Sequence, residues 1–212
     1  SIISIVWSLV MNSQIKEYFP KLFIGFTTFY LILSFTSQSS DILYQRYQGI
    51  ILSLGINLNE VLLRHLIFLL LEYLQFIPFY FLILFIFGFE INLYSLLFIP
   101  GLLLVILNGY WLLFLLSLMC ARFRDLGLLL NAIMSTSILL TPVLWDKDML
   151  GSYEKYVYLN PFTAMIEAIR DPLIGVPVNS KIYILLILYA FVGFSLSAIF
   201  YKIKHKQFNF WL

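Results

Sequence analysis

The chain has 212 residues, of which 62% are hydrophobic and only 11% are charged, whereas a soluble domain carries roughly 25% charged residues. Too few polar side chains remain to cover a soluble globule, so the composition predicts an integral membrane protein. A net charge of +2 gives no basis for binding nucleic acid. The single cysteine excludes an internal disulfide, and the two separate histidines, His65 and His205, lack the spacing of a metal site.

Apolar runs divide the chain into membrane spans, because about 20 helical residues cross the hydrocarbon core of a bilayer. The first run, residues 1–11, is too short, and we interpret it as the remnant of a first span whose beginning is missing. The second run predicts a complete span that is followed by a mixed interfacial segment containing a short helix. The predicted spans after the first are 22–40, 61–87, 93–119, 128–145 and 182–201, with an interfacial segment at 41–60 and a polar connection at 146–180.

The distribution of basic residues predicts the orientation of these spans, since lysine and arginine collect on the cytoplasmic side. Total counts on the two sides are nearly equal, but the loop 120–127 and the tail 202–206 concentrate their charge. We therefore expect 41–60, 120–127 and the tail in the cytoplasm, and 146–180 outside. Glu72 is the main charge within a span and a functional candidate. It faces a subunit interface, pairs with a polar neighbour or lines a path, and the sequence does not choose among these.

The stretch LNPFTAMIEAIRDPLIG, residues 159–175, holds unusual charges for so apolar a chain. Asn160 is a typical helix cap and Pro161 is favoured at the first helical position. Asp171 precedes a proline, which disfavours helical geometry and predicts the end of the helix there. The pattern therefore predicts a short amphipathic helix that lies on the outer surface of the bilayer or dips into it.

Within this predicted helix, Glu167 and Arg170 are three residues apart, a spacing at which opposite charges share one helix surface. We expect them to pair. The helix is then either a plain surface connector or a gate over an export path, and the physical chemistry of the sequence leaves both open. The chain contains no Gly-rich phosphate-binding motif of the form GxxxxGK[ST] and no GxSxG motif, so no ATP hydrolysis or serine esterase chemistry is expected in it.

Two ordered runs resemble the permease subunit of type-2 ABC exporters for polysaccharides, which include the O-antigen, capsule and teichoic acid exporters. They are CARFRDLGLLLNAIMSTSILLTPVLW at 120–145 and YLNPFTAMIEAIRDPLIG at 158–175. The segment QGIILSLGINLNEVLLRHL and the tail FNFWL are also similar, so the resemblance covers essentially the whole chain. The family's amphipathic amino-terminal helix and most of its first span have no counterpart, and the segment 41–60 is more apolar than is usual in the family.

The resemblance implies an all-α integral membrane protein with the six-span permease fold of type-2 ABC exporters. Two copies would form the path, and two separate ATP-binding cassette subunits would dock in the cytoplasm and hold ATP and Mg, leaving no cofactor in this chain. The substrate would be a polyisoprenoid-pyrophosphate-linked glycan, and the location the bacterial cytoplasmic (inner) membrane. The alternatives are an exporter of a drug or small lipid, a membrane-embedded glycan-processing enzyme and a purely structural membrane partner.

The same resemblance implies three groups of site residues. Coupling to the ATPase subunits is expected at Tyr44, Arg46, Tyr47, Gln48, Gly49 and Ile50, together with Arg122, Arg124 and Asp125, and the two loop arginines are also expected to contact lipid phosphates. An outer gate is expected at Asn160, Pro161, Phe162, Glu167, Arg170 and Asp171. A path or interface position is expected for Glu72 and Trp145.

Overall fold

The computed structural model describes residues 6, 8, 14–54, 57–89 and 92–204, and helices dominate this part of the chain. The predicted all-α membrane fold is confirmed. Most of the predicted first-span remnant, 1–11, and the FNFWL tail lie outside the described residues. Four stretches of the described chain are long and apolar enough to cross a membrane: Ile15–Asp41, Leu58–Phe87, Leu93–Arg122 and Ser180–Ile203.

The helices follow one another with short connections. The α-helices are α1 (Ile15–Ser37), α2 (Ser39–Asp41), α3 (Gln48–Leu54), α4 (Leu58–Leu74), α5 (Ile77–Phe87), α6 (Phe98–Arg122), α7 (Leu126–Leu140), α8 (Pro161–Leu173) and α9 (Ser180–Lys204). A π-helix, Ile42–Arg46, joins α2 to α3 within the predicted interfacial segment. The 3₁₀ helix Leu93–Leu97 precedes α6, and the 3₁₀ helix Lys147–Leu159, which is kinked at the non-helical Gly151, precedes α8.

Prolines set two helix boundaries that the apolar runs do not predict. The stretch 61–87 is two helices rather than one, because Pro78 lacks the N–H that would bond to the Leu74 carbonyl, and α4 ends at that residue. The helix predicted at 128–145 ends at Leu140, since Thr141 before Pro142 takes an extended conformation. The α7 helix is therefore 15 residues long, shorter than a full span.

The second span begins earlier than predicted, at Ile15 rather than near residue 22. Its first two turns carry Lys16, Glu17 and Lys21, which interrupt the apolar run and conceal the start of the helix. Lys21 forms an ion pair with Asp146, so this polar end of α1 is held by tertiary contacts rather than by the bilayer.

Helix α8 occupies the interior of the bundle, where it packs against α1, α6 and α9. Every residue from 163 to 173 is buried. The predicted short helix is therefore present, but it is enclosed by protein on all sides from residue 163 onward. Helices in a bilayer gain little from the hydrophobic effect and associate through close packing. Gly101 of α6 provides such packing, because any Cβ there would collide with the Ala168 backbone of α8.

The bundle has two ends, which we name by their residues. The hairpin end holds Lys21 of α1, the end of α5 and the connection 146–179, as shown by the ion pair between Lys21 and Asp146. The loop end holds 42–54 and 122–126, where Ser40 packs against Gly127. Helices α1, α6 and α9 run between these ends, so both ends contact the same long helices.

Candidate functional site

The start of α8 is fixed by Asn160. Its side-chain oxygen accepts a hydrogen bond from the Phe162 backbone N–H at 3.0 Å, and Pro161 occupies the first helical position, which confirms the predicted start. The Asn160 side-chain amide also donates to the hydroxyl of buried Thr141 at 2.9 Å. One side chain therefore both caps α8 and ties it to the residue that ends α7.

Two different replacements of Asn160 distinguish the helix cap from the hydrogen bond to Thr141. Asn160→Ala removes the cap and the bond to Thr141, and we expect a loss of about 1–2 kcal/mol in the free energy of unfolding. Asn160→Asp keeps a capping oxygen, replaces the amide donor with a carboxylate oxygen and adds a negative charge that a helix N-terminus favours, so a smaller loss is expected. Denaturant-titrated unfolding of the purified protein measures both values. Equal losses for the two variants would show that the cap contributes nothing.

The end of α8 lies beyond the predicted position. The helix passes through Asp171 and Pro172 and ends at Leu173. Gly175, with φ +77°, adopts the left-handed conformation that favours glycine, and the Val176 N–H bonds to the Asp171 carbonyl at 2.9 Å. The prediction from Pro172 is wrong because the helix is buried along this stretch, and tertiary packing outweighs the local preference of the residue before a proline.

Glu167 forms the centre of a buried charge network, with its side chain 0% exposed. Lys147 Nζ lies 3.0 Å from Glu167 Oε1, and the Tyr158 hydroxyl donates to Oε2 at 2.8 Å. Lys147 also donates to the Tyr158 hydroxyl at 2.8 Å. The predicted pair of Glu167 with Arg170 is therefore wrong: the cation opposite Glu167 comes from the 3₁₀ helix Lys147–Leu159, not from α8.

Arg170 makes its own set of contacts. Its Nε donates to Asp171 Oδ1 at 2.9 Å, and its Nη1 donates to the Pro142 carbonyl at 2.7 Å. Both members of this pair are buried, and charge-assisted hydrogen bonds of this kind are the strong ones. The Arg170 side chain packs beside Gly25 of α1, at 3.5 Å from the position of a Cβ there. Arg170 thus joins α8 to α1 and to the turn after α7.

The turn after α7 is bound to α1 as well. The Tyr18 hydroxyl donates to the Leu144 carbonyl at 2.7 Å, and Lys21 pairs with Asp146. Trp145 is half-buried, and its indole N–H donates to the Leu139 carbonyl at 2.9 Å, which satisfies an acceptor at the end of α7. We call the turn 141–146 the strap. It connects α7 to α1, and the next residue, Lys147, connects it to α8.

The electrostatics of the network keep Lys147 charged. Burial lowers the pKa of Lys147, but the hydrogen bond with Tyr158 and the Glu167 carboxylate raise it by more, so the net pKa lies above the usual 10.5. A raised pKa in the folded state gives a stabilisation that is fully present below the unfolded pKa and is lost only as pH rises through the folded value. The contribution of Lys147 is therefore expected to stay constant from neutral to mildly alkaline pH. Burial and the bond to Glu167 also raise the pKa of Tyr158.

The residues predicted to couple to ATPase subunits lie at the loop end, away from this network. Arg46 and Gly49 are exposed, and Tyr47 is half-buried with its ring at 6.1 Å from His65. Gln48 is half-buried, whereas the side chains of Tyr44 and Ile50 lie outside the described set. The predicted loop residues are also exposed at this end: Arg122, Arg124 and Asp125.

Glu72 lies in the last turn of α4, near the middle of the stretch Leu58–Phe87, with its side chain half-buried. Among the described residues it makes no hydrogen bond or ion pair, so no polar neighbour in this part of the chain accounts for a charged residue within the span. An interface or a path remains its predicted role. Sequence reasoning also missed four participants in the site: Lys21, Asp146, Lys147 and Tyr158. The charged triplet after Trp145 was an available signal for Asp146 and Lys147.

The fold and the site together define a multi-pass helical membrane protein whose hairpin end is built around a buried helix. The family model for the ABC-2 type transporter matches residues 2–174, which is most of the chain. The chain belongs to the ABC-2 type transporter family. It is the membrane permease domain of a transporter, a class that works with ATP-binding cassette partner subunits. A search of curated proteins gave no significant match.

Proposed function

We propose that this permease exports a lipid-linked polysaccharide, of the O-antigen type, across the bacterial cytoplasmic membrane. Two copies of the chain form the path, and two partner subunits bind ATP and Mg and supply the energy. The family places the chain among ABC-2 transporters, and the ordered motifs at 120–145 and 158–175 support a glycan as cargo. The hairpin end then lies outside the membrane and the loop end in the cytoplasm.

One observation supports a polymer path in particular: among the Asp, Glu, Lys and Arg side chains of the described residues, the buried ones are Glu167, Arg170 and Asp171, all on α8. A proton-coupled carrier instead places ionisable groups within its spans, along the path. Acidic and basic side chains of the described spans lie near the span ends, apart from the half-buried Glu72 and the buried His65. A path poor in charge suits the passage of a long neutral chain.

The position of α8 gives it the role of an outer gate. It lies inside the bundle at the hairpin end, where the ion pair of Glu167 with Lys147 and the hydrogen bond from Arg170 to the Pro142 carbonyl hold it to neighbouring elements. At the opposite end, α3 and the exposed Arg122 and Arg124, at the end of α6 and in the loop before α7, offer a docking surface for the ATPase subunits. Because α1 runs from that surface to the strap at Asp146, a movement of the loop end is transmitted to the gate as a shift of packed elements.

Deletion of the chromosomal gene tests the cargo. We expect surface polysaccharide to disappear while lipid-linked polymer accumulates inside the cell, because synthesis continues without export. Both pools are quantified in the same culture, and a plasmid copy of the gene restores the surface polymer. The Arg170→Ala allele is expected to fail in complementation, and Lys155→Ala, which changes an exposed lysine in the same connection, is expected to succeed.

Two other outcomes would overturn the proposal. A surface polymer of altered length or decoration, without accumulation inside, would indicate a processing enzyme. An unchanged surface polymer, together with greater sensitivity to toxic compounds or an altered membrane lipid, would indicate an exporter of drugs or small lipids within the same family.

A further inference from the structure

A cleft of about 400 Å³ lies at the hairpin end, beside the charge network. The 3₁₀ helix Lys147–Leu159, the end of α8 and the start of α9 form its walls. Its volume falls in the range of small-molecule sites, roughly 300–1,000 Å³. Polar groups of both signs line it, together with an apolar wall that includes Val176, Pro177 and Ile182.

The charges in this cleft are already balanced, and this determines what kind of ligand fits. Each basic side chain of the lining has an acidic partner: Lys21 pairs with Asp146, Lys147 with Glu167 and Arg170 with Asp171. The described lining therefore offers no unpaired cation that would attract a phosphate or a nucleotide. Asp148, which is exposed, has no ion pair among the described residues, so any excess charge in the cleft is negative.

Hydrogen-bonding capacity nevertheless remains. An ionised carboxylate offers about four lone-pair positions, so Asp148 can accept several hydrogen bonds. Asn179 uses its side-chain oxygen to accept from the Lys181 N–H at 3.0 Å, which leaves the two N–H donors of its amide available. Lys21 uses one of its three donors on Asp146. Donors and acceptors next to an apolar wall match a neutral ligand that has many hydroxyl groups on one side and C–H groups on the other.

We infer that this cleft binds a neutral sugar residue of the exported polymer. The inference rests on the proposed function and adds a glycan contact site to it. A sugar in the cleft would contact Asp146 and Lys147, the same side chains that connect α1 and α8 through the strap. Occupation of the cleft by the passing polymer is thereby linked to the position of the gate helix.

The test uses the full chain with its ATPase partners in lipid nanodiscs. Saturation-transfer NMR measures the binding of methyl α-D-glucopyranoside, methyl α-D-mannopyranoside and N-acetylglucosamine, with inorganic phosphate followed by phosphorus NMR. The double variant Asp148→Asn and Asn179→Asp keeps the net charge and the capping oxygen at the start of α9. It places amide donors at 148, where the carboxylate acceptor was, and a carboxylate acceptor at 179, where the amide donors were. Loss of a hydrogen bond to a charged group predicts roughly tenfold weaker sugar binding.

Lys155→Ala is the matched control, because it changes an exposed residue of the same 3₁₀ helix that does not line the cleft. It is expected to bind sugars like the parent protein. Absence of binding by all three saccharides, equal binding in the double variant, or preferential binding of phosphate at the cleft would each overturn the inference. The deletion experiment reports separately on export. If sugar binding is absent but export is lost on deletion, the exporter assignment stands without the cleft site. If sugars bind but deletion causes no export defect, the exporter assignment alone is overturned.

Discussion

Replacing Lys147 with methionine is expected to lower the free energy of unfolding by about 3–5 kcal/mol, since it leaves a buried carboxylate without its cation. Glu167 is fully buried, and its other partner is the neutral Tyr158 hydroxyl. Methionine retains much of the length and volume of lysine, so the loss reports on charge rather than on packing. Denaturant-titrated unfolding of the purified permease in detergent measures the difference.

A matched pair of variants separates the buried charge from the general effect of removing a lysine. Lys155→Met changes an exposed lysine of the same 3₁₀ helix, and we expect it to stay within about 0.5 kcal/mol of the parent protein. The double replacement of Lys147 and Glu167 by methionine is expected to be more stable than Lys147→Met alone, because no uncompensated charge remains. If Lys147→Met proves no worse than Lys155→Met, the network does not hold α8.

The features that follow from local sequence were predictable. Apolar runs identified the long helices, because the bilayer imposes length and hydrophobicity on any span. Asn160 and Pro161 identified the start of α8, because a cap and a first-turn proline act within a few residues of each other. The ordered motifs at 120–145 and 158–175 indicated a type-2 ABC permease, which the match to ABC-2 type transporters confirms, while the glycan cargo stays a prediction.

The partners within the site were not predictable in the same way. Pairing of Glu167 with Arg170 follows from helical spacing when a helix lies on a surface, but α8 is buried and the partners of Glu167 come from another element. Lys147 reaches Glu167 only because the 3₁₀ helix folds back onto α8. The position of a buried helix depends on which surfaces are close enough to pack, and no local pattern gives that information.

A glycine that is unremarkable in the sequence decides how closely α8 packs. Gly101 stands near the start of α6, and a Cβ at this position would lie 2.8 Å from the Ala168 carbonyl carbon and still closer to its oxygen. The obstacle is backbone within a helix, which cannot move aside as a flexible side chain would. Gly101→Val is therefore expected to destabilise the permease at or beyond the upper end of the roughly 1–3 kcal/mol typical of overpacking.

Two further variants make this expectation specific. Gly49→Ala adds a methyl group where no atom lies within 4 Å, and measured on the permease alone it is expected to leave stability unchanged or slightly raised. Ala168→Gly removes the neighbouring side chain but not the carbonyl, so it is expected not to rescue Gly101→Val. Rescue would show that side-chain crowding limits the approach of α6 to α8. A persistent defect together with lost export would show that backbone contact between these helices seats the gate.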